Sequence, residues 1–205
     1  MTQNKTYIQS YCTIENNEII LNGEMIFKAE PDLFSVFSKK VYQNLEINYP
    51  KFFKMDSLSK LAFLAAELLL KNEIDATKEN NIALVFSNKS SSLDTDIKFQ
   101  DSISDATNFF PSPAVFVYTL PNICIGEICI KHQLKSENSF FIFDAFNSAF
   151  MSNYVTVLLQ EKNIEKVLCG WVEYYNEEYK AFLYLISKEG VNEHTKQKLD
   201  TLYNN

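Results

Sequence analysis

The chain has 205 residues, 46% of them hydrophobic and 14% aromatic, with a formal net charge of −7. That combination describes one sizeable folded domain rather than a disordered chain. No apolar run reaches the ~18 residues a membrane span requires. No Lys/Arg patch alternates with aromatics as a nucleic-acid surface demands, and the opening MTQNKTYIQSYC carries no basic-then-apolar leader. A cytoplasmic protein with no membrane span and no nucleic-acid partner is the expectation.

Residues 6–14, TYIQSYCTI, predict a strand, and NNEIILNG a second one turning near Asn22-Gly23. A helix opens at Pro31-Asp32 through PDLFSVFSKKVYQ, with Asp32 as candidate N-cap. NYPKFFKM then reads as an extended linker. Residues 57–71, SLSKLAFLAAELLLK, predict the clearest helix, capped by Asp56 or Ser57, with an apolar face wide enough for burial. The continuous apolar run NIALVFS, 81–87, suits a central, parallel strand. A polar loop, NKSSSLDTD, leads into a short helix through DIKFQDSIS. Pro111, Pro113 and Pro121 argue against one regular element before Asn122. NICIGEICIKHQL reads as a helix with small residues for close packing. Strand 139–143, helix 147–161 and strands 166–173 and 180–187 follow, the last two forming a hairpin across YYNEEY. Residues 191–205 read as a polar tail of marginal helicity. The alternation of strand and helix is an α/β pattern in one domain, 1–190, followed by that tail.

The usual chemical constellations are missing. Gly23, Gly126, Gly170 and Gly190 are not spaced as a phosphate-cradling loop. Cys12, Cys124, Cys129 and Cys169 lie in or beside apolar segments and read as buried thiols rather than zinc ligands, so neither a metal nor a cofactor is expected. His194 lies in the polar stretch NEHTKQK and reads as solvated, as do Glu177-Glu178 and the pair Asp94 and Asp96. The segment 139–150, SFFIFDAFNSAF, is a strand, a tight turn and a helix start, where α/β enzymes often hold a nucleophile. Asp144 is there either a carboxylate nucleophile or a cap for the helix that follows. Ser148 lacks a GxSxG setting, and His132 is the one histidine open to a catalytic reading.

Several segments, in order, resemble one family. Met55-Asp56 followed by SLSKLAFLAAELLL, the strand NIALVFSN, and the long PSPAVFVYTLPNICIGEICIKHQL are similar to the N-terminal half of β-ketoacyl-acyl-carrier-protein synthases, in the thiolase superfamily. In the last of these Pro111, Ser112, Pro113, Thr119, Leu120, Pro121, Asn122, Gly126, Ile128 and Leu134 match, and VLCGWVE with Gly170 resembles the family's later strand. The loop after NIALVF departs from the family, being NKSSSLDTD rather than glycine-rich.

The resemblance implies an α/β fold: a thiolase-like N-terminal half, with a mixed five-stranded sheet covered by helices. It places the family's nucleophilic cysteine at Ala145, counting back from Gly170 without gaps; a slip of one gives Asp144 or Phe146, and none is cysteine. It also implies that the half carrying the family's catalytic histidines is missing, so condensation by this chain alone is not expected. Cysteine-less relatives resemble chain length factors, as in aryl polyene and flexirubin-type pigment synthesis. These pair with a full-length ketosynthase and shape its acyl tunnel, with acyl carrier protein and an acyl chain as further partners. On that resemblance Phe140, Phe141, Phe143 and Phe146 serve both core and dimer interface, alternating by face. Phe109, Phe110, Phe116 and Tyr118 form a tunnel wall or plug, or mere packing. Asp56, Pro121, Asn122, Gly126 and Gly170 are structural motif positions. Two other readings stand beside it: an acyl hydrolase or transferase using Ser148 or Asp144 with His132, and a homodimeric acyl-binding protein.

Overall fold

A computed structural model describes residues 5–75, 79–107, 109–161, 163–190 and 192–205; position 191, where the predicted tail begins, lies outside them. The chain opens with β1 (Tyr7–Glu15), β2 (Glu18–Leu21) and β3 (Glu24–Lys28). Asn22 and Gly23 turn β2 into β3 with φ of 52° and 88°, the positive values that a tight hairpin with right-handed strand twist requires. After α1 (Phe34–Asn44), a 3-10 turn (Pro50–Lys54) and α2 (Ser57–Leu70) come β4 (Ile82–Asn88), α3 (Leu93–Ser104), α4 (Pro113–Phe116) and α5 (Ile123–His132). Then follow β5 (Asn138–Ile142), α6 (Ser148–Leu158), β6 (Lys166–Tyr175), β7 (Glu178–Ser187), β8 (Asn192–Glu193) and α7 (Lys196–Asn204).

The strands form one sheet in the order β3-β2-β1-β7-β6-β4-β5, with β8 beside β1. Eight strands are thus present among the described residues, not five, because the β2–β3 hairpin and β8 extend the expected core. The sheet is mixed: β4 runs parallel to both β5 and β6, and the other pairs are antiparallel. Every residue of β4 is buried, as its unbroken apolar run predicts for a strand covered on both sides. Its side chains alternate. Leu84 and Phe86 join Leu168 under α2 and α5, whereas Ala83 and Val85 join Val167 and Cys169 under α6 and α7. The sheet therefore separates two apolar clusters, one on each face.

Several local expectations change. Asp32 does not cap α1: Leu33 holds that position, and Asp32 Oδ1 accepts from the Leu33 amide. The amide of Phe34 instead donates to Glu177 Oε2 at 2.8 Å, so Glu177 ties the β6–β7 turn to α1 rather than lying free in water. Residues 50–54 are not extended but coil into the 3-10 turn, which buries Phe52 completely. Asp94 and Asp96 lie in the first turn of α3, where carboxylates meet the positive helix end. Residues 196–204 are an ordinary amphipathic helix docked through Leu199 and Leu202. His194 is buried, at 6% exposure, because its backbone amide bonds to Thr6 O across the sheet and carries the ring inward.

Candidate functional site

β5 is the last strand of the sheet, and β4 is its one neighbour among the described residues. The bonds Leu84 N–H to Glu137 O and Phe143 N–H to Asn88 O bracket its parallel ladder. In such a ladder alternate residues turn both backbone groups to the same side. Ser139 and Phe141 therefore face β4, and the amides and carbonyls of Asn138, Phe140 and Ile142 face outward. Side chains follow the same period. Phe140 packs against the α2/α5 cluster, while Phe141 and Phe143 pack against the α6/α7 cluster. Phe141 meets Phe150 and Tyr154 of α6 at centroid distances of 4.7 and 5.2 Å. Ile142 is half exposed.

The turn after β5 exposes Asp144 and Ala145. Asp144 is not the helix cap; that role belongs to Asn147, whose side chain accepts from the Phe150 amide at 2.9 Å. Ala145 presents only a methyl group at the exposed position. Phe146 turns inward, stacking on Tyr203 at 4.7 Å and meeting Phe182 edge-on at 5.6 Å. Ser148 is buried and donates to Asp200 Oδ1 of α7. The Lys196 ammonium, and then this hydroxyl, hold the Asp200 carboxyl below its ordinary pKa. His132 lies on the other face of the sheet, sharing a 2.6 Å hydrogen bond with Glu67 of α2. Ser148, Asp144 and His132 are thus not brought together, and no nucleophile–base pair forms among them. The cysteines give no substitute. Cys12, Cys124 and Cys169 are buried, and burial raises their pKa values, that of Cys12 to about 12; Cys129 is pushed to about 11. A thiol held protonated is a poor nucleophile.

The arm that carries the PSP and TLPN motifs packs between α3 and α5, with Phe116 meeting Phe99 of α3 at 5.1 Å. Ser112 caps α4 through the Val115 amide. The arm exposes Phe109, Phe110, Phe116, Val117 and Leu120, with Phe110 at 75% and Phe116 at 58%. Tyr118 points the other way: it is buried and donates to Glu127 Oε1 at 2.9 Å. Glu127 lies almost fully buried on α5 and pairs through its second oxygen with Lys51 at 2.8 Å. Burial first, and this carboxylate second, push the Tyr118 phenol well above its ordinary pKa. Ser92 Oγ pins the arm again by donating to Thr119 O at 2.8 Å. The aromatic side chains are therefore held out on a fixed scaffold.

The motif positions divide by role. Asp56 caps α2 by accepting from the Ser59 amide at 2.9 Å and accepts from Thr95 of α3 at 2.8 Å; burial raises its pKa. Asn122 sits before α5 without a side-chain cap bond, next to half-buried Pro121. A Cβ on Gly126 would meet nothing within 4 Å, so that glycine faces open space, whereas one on Gly170 would sit 2.0 Å from Phe182 O. Sequence reasoning missed Asn147, Glu127 and the Phe141–Phe150–Tyr154 contact. Glu127 was hidden among apolar neighbours, and only its place in an otherwise apolar helix marked it out.

Among the described residues no helix is long and apolar enough to cross a membrane. No family model matches the chain, and no curated protein matches it. Solved structures do. The chain is similar to one in the ishigamide ketosynthase/chain length factor, with a TM-score of 0.62 and 16% identity over 89% of this chain and 62% of that one. A chain of the ketosynthase ApeO in complex with its chain length factor ApeC, from Xenorhabdus doucetiae, gives 0.60 and 15% over 98% of this chain and 90% of that one. A chain of AntDE:AntF, a type II PKS acyl-carrier protein in complex with its ketosynthase bound to the hexaketide, gives 0.56 and 16% over 96% and 64%. This chain thus spans 62% of the length of the first of these. These superpositions carry one conclusion: the chain has the fold shared by ketosynthase and chain length factor structures.

Proposed function

We propose that this chain is a noncatalytic, chain-length-factor-like subunit that pairs with a catalytic β-ketoacyl-acyl-carrier-protein synthase and shapes its acyl tunnel. One observation carries the reading: an open edge strand, β5, runs into a turn whose exposed residue is Ala145. Edge and turn together suit association and not acyl transfer. The outward amides and carbonyls of Asn138, Phe140 and Ile142 are a template for a second strand. Antiparallel pairing about Phe140 would set Asn138 opposite the partner's counterpart of Ile142. Exposed Phe109 and Phe110 add aromatic area of the kind that favours association, and exposed Phe116 is the candidate for the tunnel wall. In this reading acyl carrier protein brings the growing chain. Lys54, Lys60 and Lys98, which line one pocket at the start of α2, are the complementary charge it would meet.

Three of the solved neighbours contain a ketosynthase, and in two of them a chain length factor is named beside it, which supports the assignment of partner. The hydrolase reading finds no support, because Ser148 and His132 lie on opposite faces of the sheet, each hydrogen-bonded to another residue. Co-expression with ketosynthases encoded near it tests the proposal. A 1:1 complex that survives size-exclusion chromatography is expected. A chain that elutes alone in the presence of every neighbouring ketosynthase overturns it.

A further inference from the structure

Segment 192–205 meets the body through a two-residue strand and through α7, docked by Leu199, Leu202 and Tyr203, and between the two lies a buried histidine. β8 pairs with β1 through only two residues, Asn192 and Glu193. His194 N–H then donates to Thr6 O at 2.8 Å, and His194 Nδ1 shares a 3.2 Å hydrogen bond with Thr6 Oγ1. The ring packs 5.7 Å from that of Tyr184, a fully buried residue of β7. His194 Nε2 and the Tyr184 hydroxyl are both buried without a hydrogen-bond partner among the described residues. Beyond His194, α7 lies over the start of α6, where Asp200 meets Ser148 and Tyr203 covers Phe146.

From this geometry we infer that segment 192–205 is an acid-sensitive clasp, which closes over the Phe146–Ser148 flank of the turn while His194 is neutral and opens when that ring gains a proton. The surroundings supply nothing to compensate the charge. Lys5, before β1, and Lys196, which begins α7, line the cleft that holds His194, and Lys188, after β7, lines an adjoining one. Glu193 is half exposed and pairs with Lys5, Asp200 pairs with Lys196, and Tyr184 is neutral. The α6 wall contributes Ser152, Asn153, Thr156 and Val157, and the turn after it Gln160, none of which ionises.

Burial holds the closed-state ring near a pKa of about 4, against an ordinary 6.5. The open form therefore binds more protons between those values, so closure is complete above pH 6.5 and weakens as the pH falls toward 4. Between pH 8 and pH 5 the opening constant should rise roughly 30-fold by proton linkage. Native-state hydrogen exchange on the full chain tests this. The amides of His194 and Leu199 should lose protection by that factor, after correction for intrinsic rates, while amides of β6 and β7 keep theirs. His194→Gln should abolish the pH dependence. Equal loss across β6 and β7, or the same loss in His194→Gln, would overturn the clasp. Should His194→Gln fail to fold, the NMR titration of His194 in the native chain decides: a midpoint below about pH 5 supports the inference, and any higher midpoint refutes it.

Discussion

Gly170 of β6 pairs with Leu183 of β7, with φ at 148° and no room for a side chain against Phe182 O. Its carbonyl also accepts from Ser87 Oγ at 3.2 Å, tying β6 to β4. Gly170→Ala must move backbone rather than a flexible side chain, so it should cost about 3 kcal/mol or more of unfolding free energy, at the upper end of single-substitution effects. Denaturant melts would show it, and a loss under 1 kcal/mol would mean that the strands can part there. Single residues were unevenly legible in the sequence. Asp56 could be read as a cap because a long apolar helix begins just after it. Asn147 could not, because Asp144 and Asn147 both suit a cap and only the actual start of the helix separates them. His194 was misread for a different reason. Its neighbours in sequence are polar, and its burial comes from Thr6, which lies 188 positions away.

Elements with a strong period were the readable ones: α2, β4 and the β6–β7 hairpin all appear where the patterns place them. β3 was missed because EMIFK shows water nearly everything except Phe27, so no inward alternation marks it. The open edge of β5 could not be read from the sequence at all, since it depends on which strands flank it. That edge has a direct test. The Ile142 amide faces outward and its side chain is half exposed, so Ile142→Pro removes a donor the monomer does not use. The variant should fold with a near-native melting temperature and fail to hold its ketosynthase on a size-exclusion column. Retained complex would place the interface elsewhere. The arm at 109–120 is tested separately. Phe116 is exposed, so Phe116→Ala should change stability by no more than about 0.5 kcal/mol. It should leave the complex intact and shift product chain length upward by mass spectrometry. An unchanged product distribution would remove Phe116 from the tunnel wall.

Across the whole molecule, the sheet divides labour between its two faces and its two edges. The α2/α5 face carries the polar scaffold, from Asp56 to Thr95 and from Tyr118 through Glu127 to Lys51, that fixes the exposed arm. The α6/α7 face carries the turn with Ala145 and the segment that covers its flank. One edge ends in β3, a five-residue strand with charged Glu24 and Lys28 at its ends, a pattern that discourages unwanted pairing. The opposite edge, β5, has no charged residue along its length and carries a half-exposed Ile142. The difference has a consequence for how many copies a cell can keep. A chain with one guarded edge and one open edge is safe only when the open edge is occupied. In the proposed pairing, copies made in excess of the ketosynthase would be the ones exposed to aggregation and proteolysis, and supply of that partner would meter the amount of this chain, whatever the rate of its own synthesis.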